Sequence, residues 1–161
     1  MSDFAPAWEL SRKRFVDEIT GLSQAQLNWQ LHPKALTIGQ MALHVAGVEV
    51  MFASQLSGTA LDEGLERLRR CATEGVVNED DPFPFTNEEI TPDLVIKSLE
   101  LSRVLAEPLI RQASSEVRTK ELKSALGPII TGEGAFARFG FHAGYHQGQA
   151  YLIKTAPGFP Q

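Results

Sequence analysis

The sequence predicts an all-α protein, a four-helix bundle with a long crossover between its second and third helices. Three observations carry that expectation. Four segments repeat apolar residues at helical spacing, while almost nothing alternates in the strict fashion of a half-buried strand. Capping and breaking residues bound those segments where helices start and stop. The links between them are unequal, the longest running from Ser57 to Ile90.

In the first segment, Pro6 to Thr20, the residues Phe4, Trp8, Phe15, Ile19 and Leu22 fall close to one face. Gly21 stops it, because glycine takes the left-handed capping conformation without penalty. The second segment begins at Thr37, which with Gln40 makes the spacing of a capping box, and runs to about Leu56. The third has Thr91 as N-cap and Pro92 at the first helical position, where a missing amide donor costs nothing, and continues to about Ser115 with a kink expected at Pro108. The fourth covers Gly132 to Lys154 and ends before a tail holding Pro157, Gly158 and Pro160. The Ser57–Ile90 link starts with a short helix near Leu61 to Cys71 and goes on through an acidic stretch. It is long enough to cross a whole bundle and to set the second and third helices parallel. Its acidic residues, Glu74, Glu79, Asp80, Asp81, Glu88 and Glu89, lack the regular spacing and glycine of a calcium loop, so it reads as a solvated crossover or lid whose Phe83 and Phe85 cover an apolar cavity.

Composition narrows the function. The chain has 161 residues, 43% hydrophobic and 22% charged, and reads as one domain spanning 1–161. Fifteen Lys and Arg against 20 Asp and Glu give a net charge of -5, which offers no global attraction to nucleic acid or to an anionic membrane. The single cysteine, Cys71, excludes an intrachain disulfide and fits a reducing compartment; it is assigned no role. Met1 to Arg14 lacks the pattern of a secretory signal, and Met41 to Leu56, interrupted by His44, Glu49 and Gln55, falls short of the roughly 20 apolar residues of a membrane span. The expected location is the cytoplasm.

The chemistry lies in the histidines. His142 and His146 are four residues apart and project from one face of the fourth helix. Phe139, His142, His146, Gln149 and Ile153 follow the 3, 4, 3, 4 spacing of a core-facing seam, and so do Met41, His44, Val48, Met51 and Gln55 in the second helix. Buried imidazoles need partners, and a shared metal would satisfy all three. A single inward histidine is nevertheless more often a hydrogen-bonded core residue than a ligand, so spacing leaves both readings of His44 open. His32, in the loop sequence LHPKALT, reads as a surface or capping residue.

Three stretches carry a resemblance to a known family: LTIGQMALHVAGVEVMF from Leu36 to Phe52, HAGYHQGQAYLI from His142 to Ile153, and the loop LSQAQLNWQLHP from Leu22 to Pro33. The chain resembles the DinB/YfiT-like superfamily over nearly its whole length. The resemblance implies an up-down-down-up bundle and a metal site with His44, His142 and His146 as ligands to nickel, zinc or iron. It also implies, from several members, a thiol-dependent transferase or isomerase using bacillithiol, mycothiol or glutathione. The sequence departs from zinc proteases: Ala143 follows His142 where an HExxH glutamate would serve as general base. No catalytic acid or base is assigned. Tyr145, Gln147 and Gln149 lie beside the histidines, and Glu49 reads as a surface carboxylate. Gly140, Gly144 and Gly148 form a ridge costing about 1 kcal/mol each relative to alanine, which suggests close approach of another helix. That helix could belong to a second subunit, and a homodimer is expected.

The expected function is therefore a metal-dependent thiol S-transferase acting on small electrophiles, with Met41, Val48 and Phe139 as apolar walls. A metal-dependent hydrolase and a non-catalytic metal-binding stress-response module are the alternatives. A fourth protein ligand closing the shell would favour the structural role.

Overall fold

The computed structural model describes residues 4–161; of the stretch Met1 to Arg14, the first three residues lie outside it. The order is α1 (Ala5–Ile19), α2 (Gln24–Leu27), α3 (Ile38–Ser57), α4 (Glu63–Arg70), α5 (Pro92–Arg111), α6 (Ser115–Thr119), β1 (Glu121–Lys123), β2 (Ile129–Thr131) and α7 (Gly132–Lys154). The fold is an all-α bundle of α1, α3, α5 and α7, with short elements in the links. No helix among the described residues is long and apolar enough to cross a membrane.

Contacts between the long helices fix their directions. Ala7 and Trp8 lie against Gly140, Ser11 against Gly144, and Glu18 against Gln147 and Lys154, so α1 and α7 run parallel. Gly39 meets Ile90 just before α5 and Glu49 meets Ser102, so α3 and α5 run parallel. His44 meets His142, Phe52 meets Phe139 and Leu56 meets Gly132, so α3 opposes α7. The bundle is up-down-down-up, and the link between α3 and α5 spans its length.

Most helix boundaries follow the capping chemistry. Thr37 and Gln40 form the reciprocal capping box of α3, Thr91 accepts from the Leu94 amide with Pro92 in the first turn of α5, and Gly21 follows α1 at φ 85°. The third helix is shorter than expected. It passes through Pro108 and ends at Arg111, because Ser114 accepts from the Val117 amide and starts α6 as a separate helix. Three other elements are additions: a second capping box, Ser23 with Gln26, turns part of the expected 22–33 loop into α2, and β1 pairs antiparallel with β2 around a turn containing Gly127 at φ 99°.

Every residue from Met41 to Ala53 is buried, so α3 is the central helix and is apolar on all sides. This corrects the reading of Glu49. Its side chain is buried, 2% exposed, and accepts hydrogen bonds from Trp8 Nε1 at 2.8 Å, Arg12 Nε at 3.2 Å and the Ser102 hydroxyl. Arg12 is itself buried and donates to the Leu99 carbonyl. This ionic cluster ties α1, α3 and α5 together on the side of α3 turned away from the histidines.

The glycine ridge is also explained within the chain. A Cβ at Gly140 or Gly144 would stand 3.5 Å from atoms of α1, while Gly148 faces open space. The close helix is the chain's own first helix, so the ridge no longer argues for a second subunit.

Candidate metal centre

The site is built from α3, α7 and the crossover. His44 on α3 and His142 and His146 on α7 bring their Nε2 atoms together: His142 Nε2 lies 3.1 Å from His44 Nε2 and 3.0 Å from His146 Nε2. One ligand atom from each lies within 4.8 Å of the others, and no fourth His, Cys, Asp or Glu joins the group among the described residues.

His44 is fixed by an unexpected partner. Its Nδ1 donates to the Cys71 carbonyl at 2.8 Å. Cys71 is the C-cap of α4, and a helix's last carbonyls lack intrahelical donors, so one ring completes the cap and is oriented by it. The approach depends on Gly47. A Cβ there would lie 2.5 Å from the Leu68 carbonyl and 3.1 Å from Cys71 Cβ, so α4 rests directly on α3 one turn beyond His44. The Cys71 side chain is another matter: burial pushes its thiol up to about 12, and it is not a ready nucleophile. Cys71, distant from the histidines in sequence, adjoins them in space through its backbone.

The donor set fits a metal. A carbonyl can only accept, so His44 Nδ1 carries the proton and its Nε2 presents a lone pair. His142 Nε2 faces both other Nε2 atoms, and a single nitrogen cannot donate to one neighbour and accept from the other in the neutral ring. Hydrogen bonding among the rings therefore leaves a lone pair unsatisfied. One Lewis acid at the centre satisfies all three, and nitrogens bound at about 2.0 to 2.1 Å in octahedral to tetrahedral arrangements sit roughly 2.8 to 3.4 Å apart, which brackets the separations of His142 Nε2 from His44 Nε2 and from His146 Nε2. All three rings are held neutral. Burial lowers His44, with the Cys71 carbonyl opposing; burial and the neighbouring histidines push His142 down to about 2; burial first, then His44, pushes His146 down to about 3.

His146 Nδ1 is buried without a hydrogen-bond partner, and so is Gln149 Oε1 one turn further along α7. A donor and an acceptor orphaned side by side complement each other: rotation of the Gln149 amide would give His146 the outer partner that Cys71 gives His44. The Gln149 amide nitrogen now donates to Tyr145 Oη at 3.2 Å. Gln147 faces the other way, toward Glu18 on α1.

The histidines open into a cavity of about 760 Å³ lined by Leu36, Met41, Val76, Val77, Tyr145 and Leu152 among others. A smaller lobe of about 170 Å³, with Val48, Met51, Phe52, Ala72 and Phe141 in its walls, adjoins it and shares His44, His142, Val77 and Leu126. Met41 and Val48 are cavity walls, as expected. Phe139 is not; it packs between Phe52 and Phe136 in the core. Nor do Phe83 and Phe85 line either lobe. Phe85 is buried under the Arg67 guanidinium, 4.0 Å above its ring, and Phe83 packs against Gly75. The crossover instead contributes Val76 and Val77, presented by a turn at Gly75, whose φ of 69° and closeness to the Phe83 backbone require glycine. His32 is exposed, accepts from the Lys34 amide at 3.3 Å and stands at the cavity wall.

Comparison with known proteins agrees with this architecture. The family model described as the DinB superfamily matches residues 7–150. Among solved structures, the crystal structure of a conserved protein from Enterococcus faecalis shares the fold with a TM-score of 0.69 at 18% identity, over 96% of each chain. No curated protein sequence matches the chain.

Proposed function

The chain belongs to the DinB superfamily, which is metal-binding, and from that premise we propose that it is a metal-dependent thiol S-transferase acting on small electrophiles, with His44, His142 and His146 holding one divalent nickel, zinc or iron ion. The observation that carries this reading is a three-histidine donor set with no fourth protein ligand among the described residues, opening into a cavity large enough for a small molecule. A structural ion would be expected to have a closed shell.

An ion held there would supply Lewis acidity, favouring the deprotonated form of a coordinated thiol at neutral pH. Among the described residues neither lobe is lined by an Asp or Glu, so none of them offers a carboxylate as general base. That favours a thiol over water as nucleophile, because a coordinated thiol is deprotonated outright whereas metal-bound water, with a pKa of about 7, is only partly ionised at neutral pH without a base. In the overall reaction the sulfur forms a bond to an electrophilic carbon, the leaving group departs with the bonding pair, and the thiol proton passes to solvent. Bacillithiol, mycothiol and glutathione are the candidate thiols. His44, oriented by the Cys71 carbonyl, and His142 and His146, fixed one turn apart on α7, hold the nucleophile's position, while Met41, Val76 and Val77 exclude water beside it.

The test has two arms. Elemental analysis should find about one divalent ion per chain, lost in His142→Ala and His146→Ala and weakened in His44→Ala. A panel of the three thiols with a chloro- or epoxide-bearing electrophile should then give turnover that needs metal and one preferred thiol, largely intact in Cys71→Ser. Unchanged metal affinity in the histidine variants removes the ligand set; turnover lost in Cys71→Ser but kept in the histidine variants removes the thiol mechanism.

A homodimer belongs to the same proposal. Phe141, Tyr145, Leu126 and Leu152 are exposed apolar side chains around the mouth of the cavity, a surface that a second copy would cover. Light scattering should return twice the 17.7 kDa chain mass; a monomer at tens of micromolar overturns it.

A further inference from the structure

The smaller lobe has a feature that the metal site does not use. Arg138 stands on α7 four residues before His142, on the same face, and lines the lobe. It is half-buried and donates one hydrogen bond, from Nη1 to the Gly134 carbonyl of its own helix at 3.2 Å. Among the described residues it has no carboxylate partner, and shares that only with Arg14, whereas the other seven arginines each have one. Guanidinium carries five N–H donors in a fork matched to a carboxylate, so most of its donor capacity is unused. The second polar side chain in the lobe is Ser124, buried in the hairpin turn; its Oγ accepts from the Leu126 amide and leaves its own hydrogen to donate. The rest of the wall is apolar or histidine.

Charge points the same way. The chain carries -5 overall, yet the charged side chains lining the two lobes among the described residues are Lys34 and Arg138, with no Asp or Glu. An electropositive cleft in an acidic protein draws anions toward it. Size limits what enters. At about 170 Å³ the lobe is below the roughly 300 Å³ at which whole-ligand pockets begin, so it takes a fragment, while the large lobe holds the remainder or a second molecule.

We propose that the smaller lobe is the subsite for the electrophile and that Arg138 selects one bearing a carboxylate, with the apolar body seated among Val48, Met51, Phe52 and Phe141. The assignment of the occupant as electrophile rests on the transferase reading; the carboxylate subsite itself does not. Both shared walls, His44 and His142, are ligand candidates, so a group anchored on Arg138 extends toward the nitrogens where the second reactant would be held. Arg138 is in this view a binding residue that fixes substrate class.

Phenylacetate is the probe, with phenylacetamide as its uncharged isostere, titrated into chelator-treated protein so that a carboxylate cannot be captured by metal. The Arg138 side-chain N–H and the amides of Ala125 and Phe141 should shift in proton–nitrogen NMR spectra of the wild-type protein, a readout that needs no variant. Phenylacetate should bind about ten-fold or more tightly than phenylacetamide, and Arg138→Gln should remove that preference while leaving phenylacetamide binding unchanged. Arg138→Lys should restore part of it, because charge is kept and the fork is lost. Equal binding of acid and amide by the wild-type protein, or shifts centred on Lys34 and His32 in the large lobe, overturns the proposal. Failure of the thiol panel with this carboxylate preference intact would remove the transferase reading and leave the subsite standing.

Discussion

Replacing Glu49 by glutamine tests the polar centre of the bundle. The carboxylate is 2% exposed and accepts from Trp8, Arg12 and Ser102, and Arg12, 7% exposed, makes no other ion pair among the described residues. Glutamine keeps the shape and one acceptor oxygen but turns an NH₂ toward donors and leaves the guanidinium uncompensated. Breaking a buried pair by removing one partner costs about 3 to 5 kcal/mol, against a total stability of about 5 to 15 kcal/mol for an ordinary domain. Glu49→Gln is therefore expected to lower the free energy of unfolding by about 3 kcal/mol or more at pH 7, measured by urea titration with circular dichroism and the fluorescence of Trp8 and Trp29. Arg12→Met with Glu49→Met removes both charges together and should recover much of that loss, since no ion is left stranded. Metal loading of the folded fraction should not change, because Glu49 lies about 140° round the helix from His44. A loss below 1 kcal/mol in Glu49→Gln, or a double variant no better than the single one, would refute the view of this cluster as a desolvated ion pair.

Two further outcomes follow from the histidines. Unfolded histidine protonates near pH 6.5, whereas folded His142 and His146 are pushed down to about 2 and about 3, so the unfolded chain binds more protons below pH 6.5 and stability falls with pH. Metal-free protein should lose about 3 kcal/mol between pH 7.5 and 5.5 from these two groups, with a flatter profile in His142→Leu/His146→Leu; identical profiles would contradict their burial as neutral rings. Gln149→Leu, which removes the acceptor beside His146 Nδ1, should weaken zinc binding about ten-fold in a competition titration with a chromogenic chelator, and unchanged affinity would end the case for Gln149 as the outer partner.

The helices were legible because their signals are local. The Thr37–Gln40 box, the Thr91–Pro92 start and the Gly21 stop each act within a few residues, and each stands where the spacing put it. The histidine seams were legible for the same reason. What sequence reading missed was set by contacts between segments. Glu49 reads as a surface carboxylate only when taken apart from its helix; a run as apolar as Met41 to Ala53 is buried on all sides, and a carboxylate within it must find a cation. That signal was in the sequence. The Cys71 carbonyl was not, because every residue has a carbonyl and only the packing of α4 on Gly47 brings this one to His44. The hairpin escaped because its strands are so short that alternation has no length in which to appear.

These misses share a location. The ligand candidates and part of the wall come from α3 and α7, whose period the sequence declares, but the rest of the enclosure comes from segments with no period: Val76 and Val77 from the crossover, and Ser124, Ala125 and Leu126 from the hairpin turn. Topology explains the division. With α3 and α5 parallel, the chain must return along the whole bundle before α5 begins, and in doing so it lays α4 across Gly47 and the following turn over the histidines. The same carbonyl that ends α4 orients His44, so the crossover helps to hold a ligand candidate as well as to enclose the site. Sequence changes in Val76–Val77 or Ser124–Leu126 can therefore reshape the cavity while leaving the helical seams intact. Selectivity for the electrophile is expected to reside in those segments and in Arg138, and the capacity to hold an ion in the helices.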